Sequence, residues 1–388
     1  MQGSPLIKND ADFLELLERH ATAQEIALDC EFHGEKRYRP TLYLVQIGFS
    51  DEVAAIDPQA VDLRPLRAML DDAGVRKVFH AGREDVRLLS RATGALEFPS
   101  VFDTQVAAAF LGHGTSIGYG KLVKEVVGVE LDKASQFTDW SGELTREQID
   151  YALNDVRFLP QVTVSLVSRL ELRGRLAWAL DASQVMVRAA LAEPDPRRLY
   201  RKISGFASLT SVQLGILREL SMWRDQIAES ENYRPESVVS DPALRQMALR
   251  PPTKPGHLRG LRGVGIGGAE RWWGGLREAV ARGTAEPEPV FAIAEPDPRT
   301  ETISALLTVI RRIVATESDV APDLLATSAD LRALAEWHVA QKTPPPALDV
   351  LSGWRESLIG RPLLKALAGE LAIKVARETP SGVRLVST

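Results

Sequence analysis

Asp29 and Glu31 stand one residue apart, directly after the apolar run Ile26-Ala27-Leu28. Residues i and i+2 of a strand face the same side, so both carboxylates project together. Two acids side by side at the end of an apolar strand repel each other. A chain that keeps them there needs a cation between them, or needs both to reach solvent. Asp-x-Glu alone is a common pattern; its place at the end of a buried-type strand is what constrains the fold.

The surrounding residues alternate strand-like and helix-like segments. Residues 25–32, 42–49 and 53–57 read as strands from their β-branched and apolar content, with Ser50-Asp51-Glu52 as a hairpin junction. Residues 63–74 read as a helix stopped at Gly74, 75–81 as a buried strand and 83–94 as a further helix. Residues 102–112 and 118–128 are additional helical candidates, and Thr145-Arg-Glu-Gln148 is a capping-box pattern opening a long helix that Pro160 kinks. Strands followed by alternating elements predict an α/β domain, a mixed sheet covered by helices.

From about residue 176 the strand signals fade, and Pro-rich junctions stand at 192–198 and 285–299. The two pieces they delimit read as helical repeats offset by 87 residues: 234–248 aligns without gaps on 321–335. The same offset carries Ile216, Leu220, Trp223 and Ile227 onto Ile303, Leu307, Ile310 and Val314, the spacing of one helix face. The net charge of −5 hides an asymmetry, because residues 197–282 hold 15 Lys/Arg against 8 Asp/Glu. A basic middle between acidic flanks fits a polyanion-facing module or a solvated Arg-rich helical surface.

Two further acids stand out. Asp85 lies in the first turn of a helix that follows a buried strand, where the helix dipole alone would favour an acid. Tyr151 and Asp155 are four apart, on one face of a helix. Four carboxylates from a strand, a helix start and a helix interior form a hard oxygen set, suited to Mg²⁺ or Mn²⁺ rather than zinc. Two such ions ~4 Å apart can clamp a phosphoryl displacement.

Leu28-Asp29-Cys30-Glu31-Phe32, with Tyr38-Arg39-Pro40 and Leu44-Val45-Gln46-Ile47, resembles the first motif of the DEDDy 3′–5′ exonucleases. Phe79-His80-Ala81 with Glu84-Asp85 resembles the second. Phe137-Thr138-Asp139-Trp140-Ser141, with Leu144-Thr145, Gln148, Tyr151-Ala152 and Asp155-Val156, resembles the third. Within that group the set is similar to the ribonuclease D family, and the helical repeats resemble its HRDC domains. The resemblance implies an RNase H-like exonuclease domain over 1–175, a linker at 176–208, an HRDC domain at 209–284, a linker at 285–299 and a more divergent HRDC-like domain at 300–382.

It also implies a mechanism. Asp29, Glu31 and Asp155 would hold one divalent cation, Asp29 would bridge to a second, and Asp85 would hold that second site. An ordinary phenol ionises near ~10, so Tyr151 is expected to orient the attacking water rather than deprotonate it. The implied reaction releases 5′-nucleoside monophosphates from RNA 3′ ends, tRNA precursors among them, in a cytoplasmic monomer with no nucleotide cofactor. A DNA exonuclease and a non-catalytic RNA scaffold are the alternatives, since both polymers present the same phosphodiester to the acids.

Other residues have secondary readings. Phe32, His33 and His80 lie near the acids and are candidates to touch substrate, though each also suits the core. Arg250, Lys254, Arg259 and Arg262 cluster around a Pro/Gly-rich turn and could meet phosphates with salt-sensitive, sequence-tolerant contacts. Cys30 is expected to be a small buried hydrophobe facing away from the metals. As the chain's one cysteine it forms no intrachain disulfide. No apolar run approaches the ~18–20 residues of a membrane span, and the N-terminus lacks the pattern of a secretory signal.

Overall fold

The computed structural model describes residues 6–388 apart from 35, 132–138, 260, 265–270, 291–296 and 342. Phe137 and Thr138 of the third motif lie outside the described residues. The chain divides into two compact units: residues up to Glu31 with Tyr43–Leu191 and Pro296–Thr388, and Phe32–Leu42 with Ala192–Glu295.

The first unit opens with strand β1 (Leu6–Ile7), helix α1 (Asp10–Arg19) and strands β2 (Glu25–His33), β3 (Thr41–Gly48) and β4 (Val53–Ile56). A short helix α2 (Arg67–Leu70) leads to β5 (Arg76–Phe79), α3 (Arg83–Thr93), β6 (Val101–Asp103) and α4 (Thr104–Ala109). Helices α5 (Tyr119–Val126), α6 (Arg146–Arg157), α7 (Leu159–Leu172) and α8 (Leu176–Leu191) follow. The sheet order is β1-β4-β3-β2-β5-β6. β1 runs parallel to β4, β4 antiparallel to β3, and β5 parallel to both β2 and β6. This is the mixed sheet expected from the strand pattern. Its apolar strand residues Ile26, Leu28, Leu44, Ile47, Phe79 and Phe102 are fully buried, each stabilising by at most about 1.5–3 kcal/mol.

Several expectations are corrected. Residues 102–112 are not one helix: Val101–Asp103 is the edge strand, and Asp103 then caps α4 by accepting from the Gln105 and Val106 N–H groups. Pro160 does not kink a continuous helix; the chain breaks at Phe158 and Pro160 sits in the first turn of α7, where its missing N–H costs nothing. The expected exonuclease boundary at 175 leaves α8 outside that domain. Helix α8 packs back on the sheet, Ser183 Oγ accepting from the Asp103 N–H at 3.2 Å and Arg87 Nε donating to the Ala190 carbonyl at 3.1 Å.

The C-terminal segment of the first unit holds α13 (Pro298–Ser318), α14 (Pro322–Leu325), α15 (Ser328–Val339) and α16 (Arg361–Leu367). It is not all-α as expected, because β7 (Leu371–Val375) and β8 (Val383–Ser387) close it as an antiparallel hairpin. It shares a core with helices α4, α5, α7 and α8. The Trp354 ring stacks on Trp178 with centroids 5.0 Å apart, and the Ala321 N–H donates to the Ala109 carbonyl at 3.0 Å.

The second unit is built on α9 (Ser211–Ser230), α10 (Pro235–Val238), α11 (Asp241–Leu249) and α12 (Trp273–Ala285). Trp272 and Trp273 pack against its core. Tyr38 Oη donates to Asp225 at 2.9 Å and the Arg39 N–H to Asn232 Oδ1 at 3.0 Å. The 87-residue offset reappears in the local geometry of the two helical segments. Buried Arg224 donates to the Val239 carbonyl at 2.9 Å, and Arg311 to the Ala326 carbonyl at 2.7 Å.

One close approach sets the position of α6. Ala152, Leu153 and Val156 of α6 are fully buried, and Gly48 ends β3 beneath them. A Cβ on Gly48 would meet the Val156 carbonyl oxygen at 3.1 Å and the Ala27 Cβ at 3.3 Å. Gly48→Ala is therefore expected to lower stability by about 1–3 kcal/mol, read from the urea unfolding midpoint. An unchanged midpoint would show that α6 yields freely.

Candidate active site

β5 pairs with β2 only from Glu25↔Arg76 to Ala27↔Val78. Asp29 and Glu31 follow on β2 just beyond this pairing. Asp29 and Glu31 project toward α6, which presents Asp155. One oxygen from each of Asp29, Glu31 and Asp155 lies within 4.8 Å of the others. The capping box at the start of α6 is present in full: Gln148 N–H donates to Thr145 Oγ1 at 3.3 Å, and the Thr145 N–H to Gln148 Oε1 at 2.7 Å. It gives α6 a defined start, from which Tyr151 and Asp155 follow at one-turn spacing.

Asp85 reaches the same strand from α3. Ala81 has a left-handed φ of 58°, and a Cβ on Gly82 would fall 2.4 Å from Phe79 Cβ. Asp103 accepts from both N–H groups of this turn, at 3.3 Å from Ala81 and 2.8 Å from Gly82. The turn sets the buried Asp85 carboxylate near Cys30, whose backbone N–H and thiol favour its charged form. Cys30 is buried and opposite in alternation to Asp29 and Glu31, as expected, but it is more than an apolar filler. Asp85 is not one of the three carboxylates within 4.8 Å, although its charge is felt by Asp29 and Glu31.

The remaining candidates have different surroundings. Tyr151 lines a cavity of about 570 Å³ with Asp155, Asn154, Tyr119, Lys121 and Lys124. His80 lies beside the site, but its ring spends Nδ1 on Thr104 Oγ1 at 2.9 Å and Nε2 on the Ile117 carbonyl at 3.0 Å. Those contacts hold the loop before α5 rather than reach into the cavity. Phe32 and His33 are half-buried and belong to the second unit. Arg250, Lys254, Arg259 and Arg262 are all exposed on that unit. Arg250 also lines a cavity of about 670 Å³ with Lys202 and Arg245, which no motif had indicated.

Electrostatics separates these acids from ordinary surface carboxylates. Burial first, then the charges of Asp85, Asp155 and Glu31, push Asp29 well above the usual range. Burial, then Asp155 and Asp85, raise Glu31 to about 8. Burial raises Asp85 and Asp155 to about 7 each. Such a set holds protons near neutral pH unless positive charge replaces them. An all-oxygen cluster of this kind fits a hard divalent cation such as Mg²⁺ or Mn²⁺.

Each of these carboxyls binds its proton more tightly folded than unfolded, where it titrates near ~4. Their contribution to stability is therefore greatest at low pH and is lost as pH rises from about 4 to about 8. In EDTA the melting temperature should fall across that window, and Asp155→Asn should flatten the fall. Added Mg²⁺ or Mn²⁺ should raise the wild-type melting temperature more at pH 8 than at pH 6. A rise independent of pH would mean that cations bind elsewhere.

Comparison with known proteins agrees with this geometry. A 3′–5′ exonuclease family model matches residues 5–171, and an HRDC domain model matches residues 213–272. The chain is 37% identical to ribonuclease D of Gluconacetobacter diazotrophicus over 95% of this chain and 94% of that one. It is 34% identical to ribonuclease D of Pseudomonas paraeruginosa over 93% and 96%. The crystal structure of Escherichia coli RNase D, an exoribonuclease involved in structured RNA processing, superposes with a TM-score of 0.83 at 30% identity, covering 94% of this chain and 99% of that one. With its acidic cluster on a mixed sheet and an HRDC region following, the chain belongs to the ribonuclease D family of 3′–5′ exoribonucleases.

Proposed function

We propose that the chain shortens RNA from the 3′ end by one 5′-nucleoside monophosphate at a time, with tRNA precursors among its substrates, as a cytoplasmic monomer. The observation that carries this reading is the convergence of Asp29, Glu31 and Asp155 oxygens within 4.8 Å. These three would hold one divalent cation, Mg²⁺ or Mn²⁺, and Asp85 with Asp29 would hold a second. Bound there, divalent cations neutralise phosphoryl charge and acidify water at neutral pH. In the reaction a water oxygen bonds to the terminal phosphorus, the P–O3′ bond breaks, and the shortened RNA keeps a 3′-hydroxyl.

The chain's own residues do the positioning. Tyr151 and Asp155, one turn apart on α6, face the same cavity, so the phenol aligns the attacking water against the phosphodiester. Lys121 and Lys124 on the cavity wall supply positive charge for the backbone of the entering strand. Arg250, Lys254, Arg259 and Arg262, exposed on the second unit, bind the RNA backbone without base selectivity. Residues 300–382 are read as a second, divergent copy of the HRDC plan, supported by the repeated Arg224 and Arg311 contacts.

The test is a degradation assay on 5′-labelled RNA and DNA strands with Mg²⁺ or EDTA. A descending ladder on RNA is expected, lost in EDTA and in Asp155→Ala. Tyr151→Phe is expected to bind RNA normally while slowing turnover by about 10²-fold. Undiminished turnover in Tyr151→Phe would remove the phenol from the mechanism. An equal ladder on DNA would make the chain a general nuclease.

A further inference from the structure

β3 lies beside β2 in the sheet. Alternation along β3 puts Gln46 on the same face as Leu44 and Gly48. That face is the one α6 covers, since Leu44 packs with Ala152 and Leu153 while Gly48 meets Val156 and Ala27. On β2 the matching face carries Ala27, Asp29 and Glu31. Gln46 thus lies under α6, wholly buried, on the sheet face that carries Asp29 and Glu31. Neither Nε2 nor Oε1 of Gln46 has a hydrogen-bond partner among the described residues.

A buried amide in that condition is costly, because its water contacts are lost and not replaced. Sheet packing does not call for one: Ala55, opposite Gln46 on β4, is apolar, and the neighbours are Leu44 and Val45. A methionine or leucine would fill similar space without stranded polar atoms. On the same face of the adjoining β2, Asp29 and Glu31 are the groups that gain from an N–H donor.

We infer that Gln46 is a positioning residue for the cation site, its Nε2–H fixing the orientation of the ionised Glu31 carboxylate at a cost borne by the cation-free protein. The inference rests on the reading of Asp29, Glu31 and Asp155 as cation ligands. Residues that orient a ligand in this way govern metal affinity without touching the metal.

The experiment measures Mn²⁺ affinity by titration calorimetry, and thermal unfolding in EDTA, for the full chain and for Gln46→Met, Gln46→Leu and Asp155→Asn. Both Gln46 variants should melt in EDTA at or above the wild-type temperature. Their dissociation constants for Mn²⁺ should rise about 10-fold or more. Rescue should be absent in Gln46→Met despite its similar length, because the N–H donor is what matters. Wild-type affinity in both variants, with binding lost in Asp155→Asn, would overturn the inference alone. A lower melting temperature in EDTA for both would make Gln46 a packing residue and overturn it too. Mn²⁺ binding absent from the wild type, or undiminished in Asp155→Asn, would defeat the cation reading and the inference with it.

Discussion

Carboxylates forced together in a water-poor site are the constraint around which the first unit is arranged. Their mutual repulsion opposes folding at neutral pH and is relieved by a proton or by a cation. The apolar part of the sheet bears this cost. Ile26, Ala27 and Leu28 are fully buried immediately before Asp29, and Leu44, Val45 and Ile47 flank Gln46 in the same way. A site that is unfavourable when empty is favourable toward the ligand that neutralises it. The same repulsion that weakens the cation-free protein thus supplies affinity for divalent ions.

Converging the acids depends on backbone devices rather than on the acids. Gly48 lets α6 approach the sheet closely enough for Asp155 to meet Asp29 and Glu31. Asp103 ties down the Ala81-Gly82 turn and so sets Asp85 near Cys30. The Thr145–Gln148 capping box begins α6. None of these groups is a ligand, yet displacing any one would move a carboxylate.

Much of this was legible in the sequence, for physical reasons. Alternation places Asp29 and Glu31 together from spacing alone, and helical spacing does the same for Tyr151 and Asp155. The capping box is a local pattern, and the 87-residue offset also relates the Arg224 and Arg311 contacts. What escaped depends on contacts distant in sequence. The three-residue strand before α4 is too short to show alternation and takes its identity from pairing with β5. Helix α8 looks like a linker until Ser183 is seen bonding Asp103. The terminal hairpin follows a helical region whose pattern masks it. Gln46 was visible only as part of a motif, because burial without a partner cannot be read from spacing. The acids alone left DNA cleavage and a non-catalytic scaffold open; kinship with ribonuclease D supports an exoribonuclease.

The central claim is that cations replace protons on this cluster. It is tested most directly by Mg²⁺ or Mn²⁺ titration calorimetry at pH 7 in buffers of different ionisation enthalpy. Glu31, raised to about 8, and Asp85 and Asp155, raised to about 7, hold protons at that pH. Binding should therefore release protons, and the release should shrink when the titration is repeated at pH 9. Cation binding with no proton released at pH 7 would contradict the account.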